Sequence, residues 1–146
     1  MRAAIATCLL LAKLSAAVAG PADEAQLVVE RWLKAFSDSD VDAIVKLYAP
    51  DAVFLGTGSK TVVMQSAEIR QYFEQALNTN RPRGASVLVH KTQVLSDDVV
   101  VITALDEVTG VRDGTKFASP GRDTFVLAKR EGQWRVVTFH RSAVPK

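Results

Sequence analysis

The stretch from Asp123 to Arg141, DTFVLAKREGQWRVVTFHR, decides the fold class, because it reads as two β-strands separated by a short turn. Extended patterning flanks Glu131-Gly132, and a pair of residues containing glycine between two such runs is typical of a β-hairpin. From Ala85 onward, the pattern of apolar residues changes from the helical period to that of extended strands. Four strands are therefore predicted in the second half of the chain, at residues 85–95, 99–108, 123–129 and 134–141, with a long connection at residues 110–121.

The first half of the chain predicts three helices. Residues 22–37 form an amphipathic first helix, with Trp32 among the apolar residues of one side. Asp40 is expected to cap a short second helix that continues to Tyr48. Ser66 is expected to cap a third helix, and brief β-like runs lie between the second and third helices. These runs cover residues 52–55 and 61–64, and the third helix covers residues 67–77.

The composition indicates one globular α+β domain. The chain has 146 residues, of which 48% are hydrophobic and 23% are charged, and it shows no internal repeat, low-complexity tract or domain linker. Its 18 basic and 16 acidic residues give a formal charge of +2, which is far from the dense positive charge of a nucleic-acid-binding protein. We therefore expect helices packed against a curved antiparallel sheet and no nucleic-acid partner.

Residues 1–19 have the pattern of a secretory signal peptide. Arg2 precedes an apolar run that ends in Ala17-Val18-Ala19, a small-residue cleavage pattern, although Lys13 interrupts the run. We expect residues 20–146 to form the mature domain, secreted or periplasmic, with no stable membrane anchor. Loss of Arg2 and Lys13 would leave 16 basic residues against 16 acidic ones.

Chemical motifs for cofactors and metals are missing from the sequence. The single cysteine, Cys8, lies within the signal sequence, and the chain has two histidines. A structural zinc site needs more Cys or His ligands than this. The sequence also contains no glycine-rich phosphate loop and no dinucleotide fingerprint. We expect no metal and no cofactor.

Three segments carry a family resemblance. They are residues 36–40, residues 47–54 (LYAPDAVF), and residues 130–137 (REGQWRVV). Together with the order of elements, they resemble the nuclear transport factor 2-like superfamily, which includes SnoaL-like cyclases and ketosteroid isomerases. The final segment, residues 138–145 (TFHRSAVP), is most similar to the association domain of calcium/calmodulin-dependent protein kinase II and its bacterial relatives.

The resemblance implies a cone-shaped fold and leaves three classes of function. The association-domain branch implies a self-associating, cofactor-free module that binds a small molecule, either hydrophobic or, if the arginines discussed below form a pocket, carboxylate-bearing. The alternative is a SnoaL-like enzyme that transfers protons on a hydrophobic carbonyl substrate. The third class is a non-catalytic assembly scaffold, which is favoured if side chains of the domain fill its cavity. Matching residues 48–52 to the ketosteroid isomerases places Gly56 at the position of their base and Trp32 near that of their tyrosine, so both of those groups are missing. Fold alone does not decide between these classes.

His140 is the candidate catalytic residue, because an imidazole near the end of the last strand can act as an acid or base near neutral pH. The alternative is a histidine that only hydrogen-bonds beside the sheet, since the sequence shows no carboxylate partner for it. His90 has the character of a solvated strand residue. The sequence thus leaves catalysis open.

Candidate ligand-binding residues are Trp32, Tyr48, Arg122 and Arg141. The first two belong to a set of aromatic residues that either line a cavity or fill the core. With a two-residue turn at Glu131-Gly132, regular pairing would place Arg122 opposite Arg141. Two facing arginines favour an anion between them, although a solvated surface or a β-bulge would give the pair no such role.

Overall fold

The computed structural model of the chain describes residues 19–145 and confirms the α+β class. The helices are α1 (Pro21–Asp38), α2 (Val41–Val45) and α3 (Ser66–Asn78). The strands are β1 (Tyr48–Leu55), β2 (Gly84–Ser96), β3 (Val99–Arg112), β4 (Thr115–Arg130) and β5 (Gln133–Ala143).

The five strands form one sheet in the order β1-β5-β4-β3-β2. All neighbouring pairs are antiparallel except β1 and β5, which run parallel. The aromatic core lies between the helices and the inner face of this sheet. Trp32 of α1 is at its centre, with ring centroids 5.3 to 6.1 Å from four phenylalanines: Phe36, Phe73, Phe125 and Phe139.

The junction between α2 and β1 differs from the sequence prediction. Asp40 does cap α2, since its side chain accepts a hydrogen bond from the backbone N–H of Ala43. The helix ends at Val45, however, and Tyr48 already belongs to the sheet, so the predicted extension to Tyr48 is wrong. The backbone N–H of Val136 donates to the carbonyl oxygen of Leu47 at 2.9 Å, and this pairing outweighs the local helical pattern.

Two predictions for the segment around α3 are wrong. Gln65 rather than Ser66 occupies the N-cap position, and the Ser66 hydroxyl instead donates to the carbonyl oxygen of Pro50 at 3.4 Å. The brief run at residues 61–64 does not form a strand. It makes one isolated antiparallel bridge, between Val63 and Phe54.

The predicted long connection at residues 110–121 is a tight hairpin instead. Strand β3 continues to Arg112, and β4 begins at Thr115. Asp113 and Gly114 form the turn with φ angles of 50° and 74°, the left-handed values that an Asp-Gly pair adopts readily. The consequence for function is that Arg112, Phe117 and Ser119 stand at fixed places on the sheet rather than on a loop.

The predicted pairing of Arg122 with Arg141 is wrong, because a β-bulge shifts the register of β4 and β5. Arg130 lies opposite Gln133 as expected, but Leu127 pairs with Val136 whereas Val126 pairs with Thr138. Val137 is the extra residue. Beyond it, Arg122 lies opposite Ser142, and Arg141 lies opposite Asp123.

Most of the predicted signal peptide lies outside the described residues, which include only Ala19 of it. Across residues 19–145, no helix is both long and apolar enough to cross a membrane. The same part of the chain contains no cluster of three or more His, Cys, Asp or Glu side chains able to hold a metal ion.

Candidate functional site: an arginine-lined cavity

A cavity of about 200 Å³ opens where the C-terminal ends of α1 and α3 meet one end of the sheet. The C-terminal ends of β3 and β5 and the N-terminal end of β4 form that end of the sheet. Its wall combines three arginines with polar and apolar side chains. Its lining residues are Phe36, Thr57, Tyr72, Ala76, Asn80, Arg83, Val108, Arg112, Phe117, Ser119 and Arg141.

Arg141 is the most firmly held side chain of the cavity. Its Nε donates to Oδ2 of Asp106 at 2.8 Å, its Nη1 to Oγ1 of Thr57 at 2.8 Å, and its Nη2 to the carbonyl oxygen of Ser119 at 2.9 Å. A guanidinium carries five N–H groups, so three are committed and two remain for a ligand. Arg141 is therefore a preorganised donor.

Gly121 makes this arrangement sterically possible. Asp106 lies opposite Gly121 across the β3–β4 ladder, and Arg141 reaches Asp106 by passing over the glycine. A Cβ atom at position 121 would overlap Oδ1 of Asp106 and Nη2 of Arg141. The absence of a side chain at Gly121 is thus what allows the ion pair to form.

Asp123 lies on the other side of the same guanidinium. Its Oδ1 is 3.7 Å from Nε of Arg141, and both Asp106 and Asp123 are only 2% exposed. Burial and the neighbouring charge of Asp106 raise the pKa of Asp123 to about 7, against an opposing effect of Arg141. The site consequently includes a carboxyl group that titrates near neutral pH.

Arg83 and Arg112 form the rest of the basic wall, and each lies over an aromatic ring. The guanidinium carbon of Arg83 is 5.2 Å from the ring centroid of Phe36, and that of Arg112 is 5.2 Å from the centroid of Phe117. Such cation–π contacts hold the cationic groups in place. Burial, with the nearby positive charges of Arg112 and Arg141, lowers the pKa of Arg83.

Tyr72 supplies a phenol to the cavity from α3. Its ring fits against Gly56, where a Cβ atom would overlap the phenol oxygen, and packs edge-on to Phe54 at 4.7 Å. Burial raises the pKa of Tyr72 despite the neighbouring arginines. The phenol is therefore a neutral hydrogen-bonding group at physiological pH.

The arrangement favours an anion. Among the described residues that line the cavity there are three arginines and no acidic side chain. Charge-assisted hydrogen bonds from guanidinium groups to carboxylate or phosphate oxygens are among the strongest contacts that proteins make with small ligands. Phe36, Val108 and Phe117 add an apolar wall for the remainder of a small molecule.

Trp32 and Tyr48, predicted to bind a ligand, lie in the core and not on this cavity. Nε1 of Trp32 donates to the Tyr48 hydroxyl at 2.9 Å, and both residues are buried. Tyr48 also borders a second, open depression of about 560 Å³ at the other end of the sheet. That depression includes an acidic residue, Glu131, and its Arg130 lies 3.8 Å from Asp51, so its positive charge is partly compensated.

His140 and Arg122 also lie away from the cavity. Both side chains are exposed on the outer face of the sheet, because neighbouring strand residues point to opposite faces and Arg141 points inward. The structure thus brings Arg141 to the cavity but neither His140 nor Arg122. The catalytic role of His140 stays a prediction.

The sequence analysis missed Asp106 and Asp123, although a signal for both exists. In β3, the inward positions Val100, Ile102, Ala104, Asp106 and Val108 are all buried. An acidic residue at an inward position of such an alternation indicates a buried carboxylate with a partner. The structure therefore places two carboxylates beside Arg141 that the sequence analysis did not name.

The fold is that of the nuclear transport factor 2-like proteins. A nuclear transport factor 2-like superfamily protein from Salmonella enterica superposes with a TM-score of 0.77 at 19% identity, over 86% of this chain and 92% of the other. This likeness confirms the predicted architecture, in which the helices pack against a curved sheet.

The chain belongs to the calcium/calmodulin dependent protein kinase II association domain family, whose model matches residues 22–145. A Xanthomonas campestris structure described as such an association domain has 30% identity and a TM-score of 0.78, covering 88% of this chain and 94% of that one. The delta subunit of the kinase from Oryctolagus cuniculus is 26% identical over 122 residues. The match covers 81% of this chain and 23% of the rabbit protein, so the chain spans less than a quarter of that relative.

Proposed function

We propose that this protein is a self-associating, cofactor-free domain whose arginine-lined cavity binds a small anionic ligand, with a carboxylate as the favoured anion. The observation that carries the proposal is the cationic wall formed by Arg83, Arg112 and Arg141. Asp106 pairs with Arg141 from behind this wall, whereas Arg83 and Arg112 make no ion pair within residues 19–145. Two N–H groups of Arg141 remain available after its three protein contacts are counted.

The size and lining of the cavity set the ligand class. A space of about 200 Å³ suits a molecule of roughly ten heavy atoms better than a nucleotide or a peptide segment. The aromatic rings of Phe36 and Phe117 favour an apolar or aromatic body behind the anionic group. Benzoate has both properties and is a suitable probe.

Titration of benzoate into the protein tests this proposal, with Arg112→Ala as the variant. Arg112 has an exposed side chain that packs over the Phe117 ring, so its removal should leave folding intact. We expect affinity to weaken by about 1 to 3 kcal/mol, which is about fivefold to 150-fold, because one charge-assisted contact is lost.

Arg122→Ala is the matched control, because it removes an arginine of the same sheet from the outer face. Its affinity for benzoate should equal that of the unchanged protein. Equal losses in the two variants would instead indicate general electrostatic attraction or a site on the outer face, and no loss in Arg112→Ala would contradict the cavity site.

Self-association is proposed from the family and from the outer face of the sheet. The family name describes an association domain. Val89 of β2 and Leu105 of β3 are paired neighbours on this face, and they are 51% and 45% exposed. Adjacent exposed aliphatic side chains on a sheet favour coverage by a second surface. A second copy of this chain is the partner that we propose.

An enzymatic function is the second candidate, in the form of proton transfer on a hydrophobic carbonyl compound. The observation that favours it is Asp123, whose pKa of about 7 suits an acid or base. Asp123 is not a lining residue of the cavity, and for this reason we prefer anion binding to catalysis as the function.

Exchange of the methyl protons of acetophenone in D₂O, followed by NMR, tests the enzymatic function. Catalysis should fall about a hundredfold or more in whichever variant removes the acid–base group, Asp123→Asn or His140→Ala.

Export to the periplasm or medium is proposed from residues 1–19 alone. Amino-terminal sequencing of the mature protein from its native host should start at or close to Gly20. A mature protein that retains Met1 would contradict export.

A further inference from the structure

Two buried carboxylates share one guanidinium behind the cavity wall. Nε of Arg141 is 2.8 Å from Oδ2 of Asp106 and 3.7 Å from Oδ1 of Asp123. With all three groups ionised, this cluster carries one net negative charge in the interior. An uncompensated buried charge is costly, so the cluster favours the uptake of one proton.

The hydrogen bonding of the cluster is also incomplete. Oδ1 of Asp106 and Oδ1 of Asp123 are both buried and have no hydrogen-bond partner within residues 19–145. A proton on one carboxyl group removes the excess negative charge, and its O–H group supplies a hydrogen-bond donor next to these unpaired carboxylate oxygens. Asp106 already accepts a hydrogen bond from Arg141, which leaves Asp123 as the group to be protonated.

We propose that, above neutral pH, binding of an anion in the cavity is coupled to the uptake of a proton, which is held by the Asp106–Asp123 pair. The inference rests on the proposed anion-binding function and concerns the same site. The proton comes from solvent and forms an O–H bond on a carboxylate oxygen of Asp123. The ligand adds one negative charge beside Arg141 and the proton adds one positive charge, so the total is unchanged.

The charges around Asp123 determine the direction of this coupling. It faces Asp106 from β3 and Arg141 from β5, and its charge also acts on the Tyr48 phenol of β1. Without a ligand, burial and Asp106 raise the pKa of Asp123 to about 7, and Arg141 opposes them. An anion bound next to Arg141 partly neutralises the positive charge that lowers the pKa of Asp123, so this pKa rises further in the complex.

The sign of the pH dependence follows from these two pKa values. Below pH about 7, Asp123 is protonated with or without ligand, and affinity is constant. Above it, the free protein releases the proton and the complex retains it. Affinity therefore weakens with rising pH, by up to about tenfold per pH unit, until the pKa of the complex is reached.

Calorimetric titration with benzoate, in two buffers of different ionisation enthalpy, measures the proton count directly. We expect a net uptake of protons per benzoate, up to one, at about pH 8 and almost none at about pH 6. Asp123→Asn replaces the carboxyl group with a neutral amide of the same shape. This variant should bind benzoate with no proton uptake and with an affinity that does not vary between these two pH values.

Glu107→Gln is the matched control, because Glu107 is the next residue of β3 and points to the outer face. It should retain the proton uptake of the unchanged protein. Binding at about pH 8 without proton uptake, or equal uptake in Asp123→Asn, would overturn the inference and leave anion binding in place. An absence of benzoate binding to the unchanged protein at about pH 6 would overturn both proposals.

Discussion

At the scale of single residues, the site depends on Asp106, Gly121, Asp123 and Arg141. The sequence pattern is sufficient to place the two acidic residues on the buried face, since both interrupt an apolar alternation. It is not sufficient to name their partner. Arg141 reaches Asp106 only because position 121 lacks a side chain, and that requirement becomes visible only when the strands are in register.

Protein stability should decrease as pH rises from about 4 to 7, through Asp123. The pKa of this carboxyl group is about 7 in the folded protein, against 3.8 for the ordinary group. In this window the unfolded chain has released the proton and the folded protein retains it, so rising pH favours unfolding. At about 1.4 kcal/mol per pH unit, the loss amounts to about 4 kcal/mol.

Denaturant unfolding of the protein and of Asp123→Asn, at several pH values, measures this contribution. The difference in unfolding free energy between the two proteins should change across the window and become constant above about pH 7.5. A difference that stays the same from about pH 4 to 8 would show that Asp123 titrates as an ordinary carboxyl group.

At the scale of structural elements, the hairpins were only partly predictable. The pattern identifies Glu131-Gly132 as a turn, and its φ angles of 52° and 75° fit a hairpin. It does not identify the equivalent Asp113-Gly114 turn, because Gly110, Pro120 and Gly121 on either side are typical loop residues. The bulge at Val137 leaves no mark on the pattern, because the valines at 136 and 137 are both apolar.

Deletion of Val137 tests the importance of the bulge. Without the extra residue, β5 would pair with β4 in a regular ladder, and Phe139 and Arg141 would remain on the inner face. We therefore expect the deletion to lower stability by no more than about 3 kcal/mol, mainly through the lost packing of Val137.

Val137→Ala is the control for this deletion, because it removes methyl groups and keeps the register. It should cost about 1 to 2 kcal/mol, since Val137 only partly enters the core. If thermal unfolding shows that the deletion prevents folding or costs more than about 3 kcal/mol beyond Val137→Ala, the assigned register of β4 and β5 is contradicted, because only in a ladder without the bulge would the deletion move the residues from Thr138 onward to the opposite face.

At the scale of the whole molecule, the fold could be predicted further than the site. The order of helices and strands, together with three short segments, was enough to recognise the family that the comparisons confirm. The cavity was not predictable, because its lining comes from three helix or loop segments and three strands that lie far apart in the sequence. Sequence spacing does not report contacts between such distant segments.

Self-association can be tested with two variants, each of which introduces one negative charge on a different side of the domain. Leu105→Glu places a carboxylate on the outer face of the sheet, and Leu27→Glu places one on α1, on the helical side. The two leucines are 45% and 46% exposed, so the substitutions are matched. In sedimentation of residues 20–146 at micromolar concentration, the unchanged chain should form at least a dimer, which only Leu105→Glu should dissociate.

Dissociation by Leu27→Glu alone would place the interface on the helices instead. A monomeric unchanged protein would remove self-association from the proposed function. Neither result would affect the anion site, which is formed within one chain.

A crystal structure with 4-bromobenzoate tests the anion site, because anomalous scattering from bromine locates the ligand without ambiguity. We expect a bromine peak inside the cavity beside Phe36 or Phe117, with the carboxylate within about 3 Å of guanidinium nitrogens of Arg141 and of Arg83 or Arg112. A ligand bound only in the depression beside Arg130 and Arg135, or on the outer face beside Arg122, would contradict it.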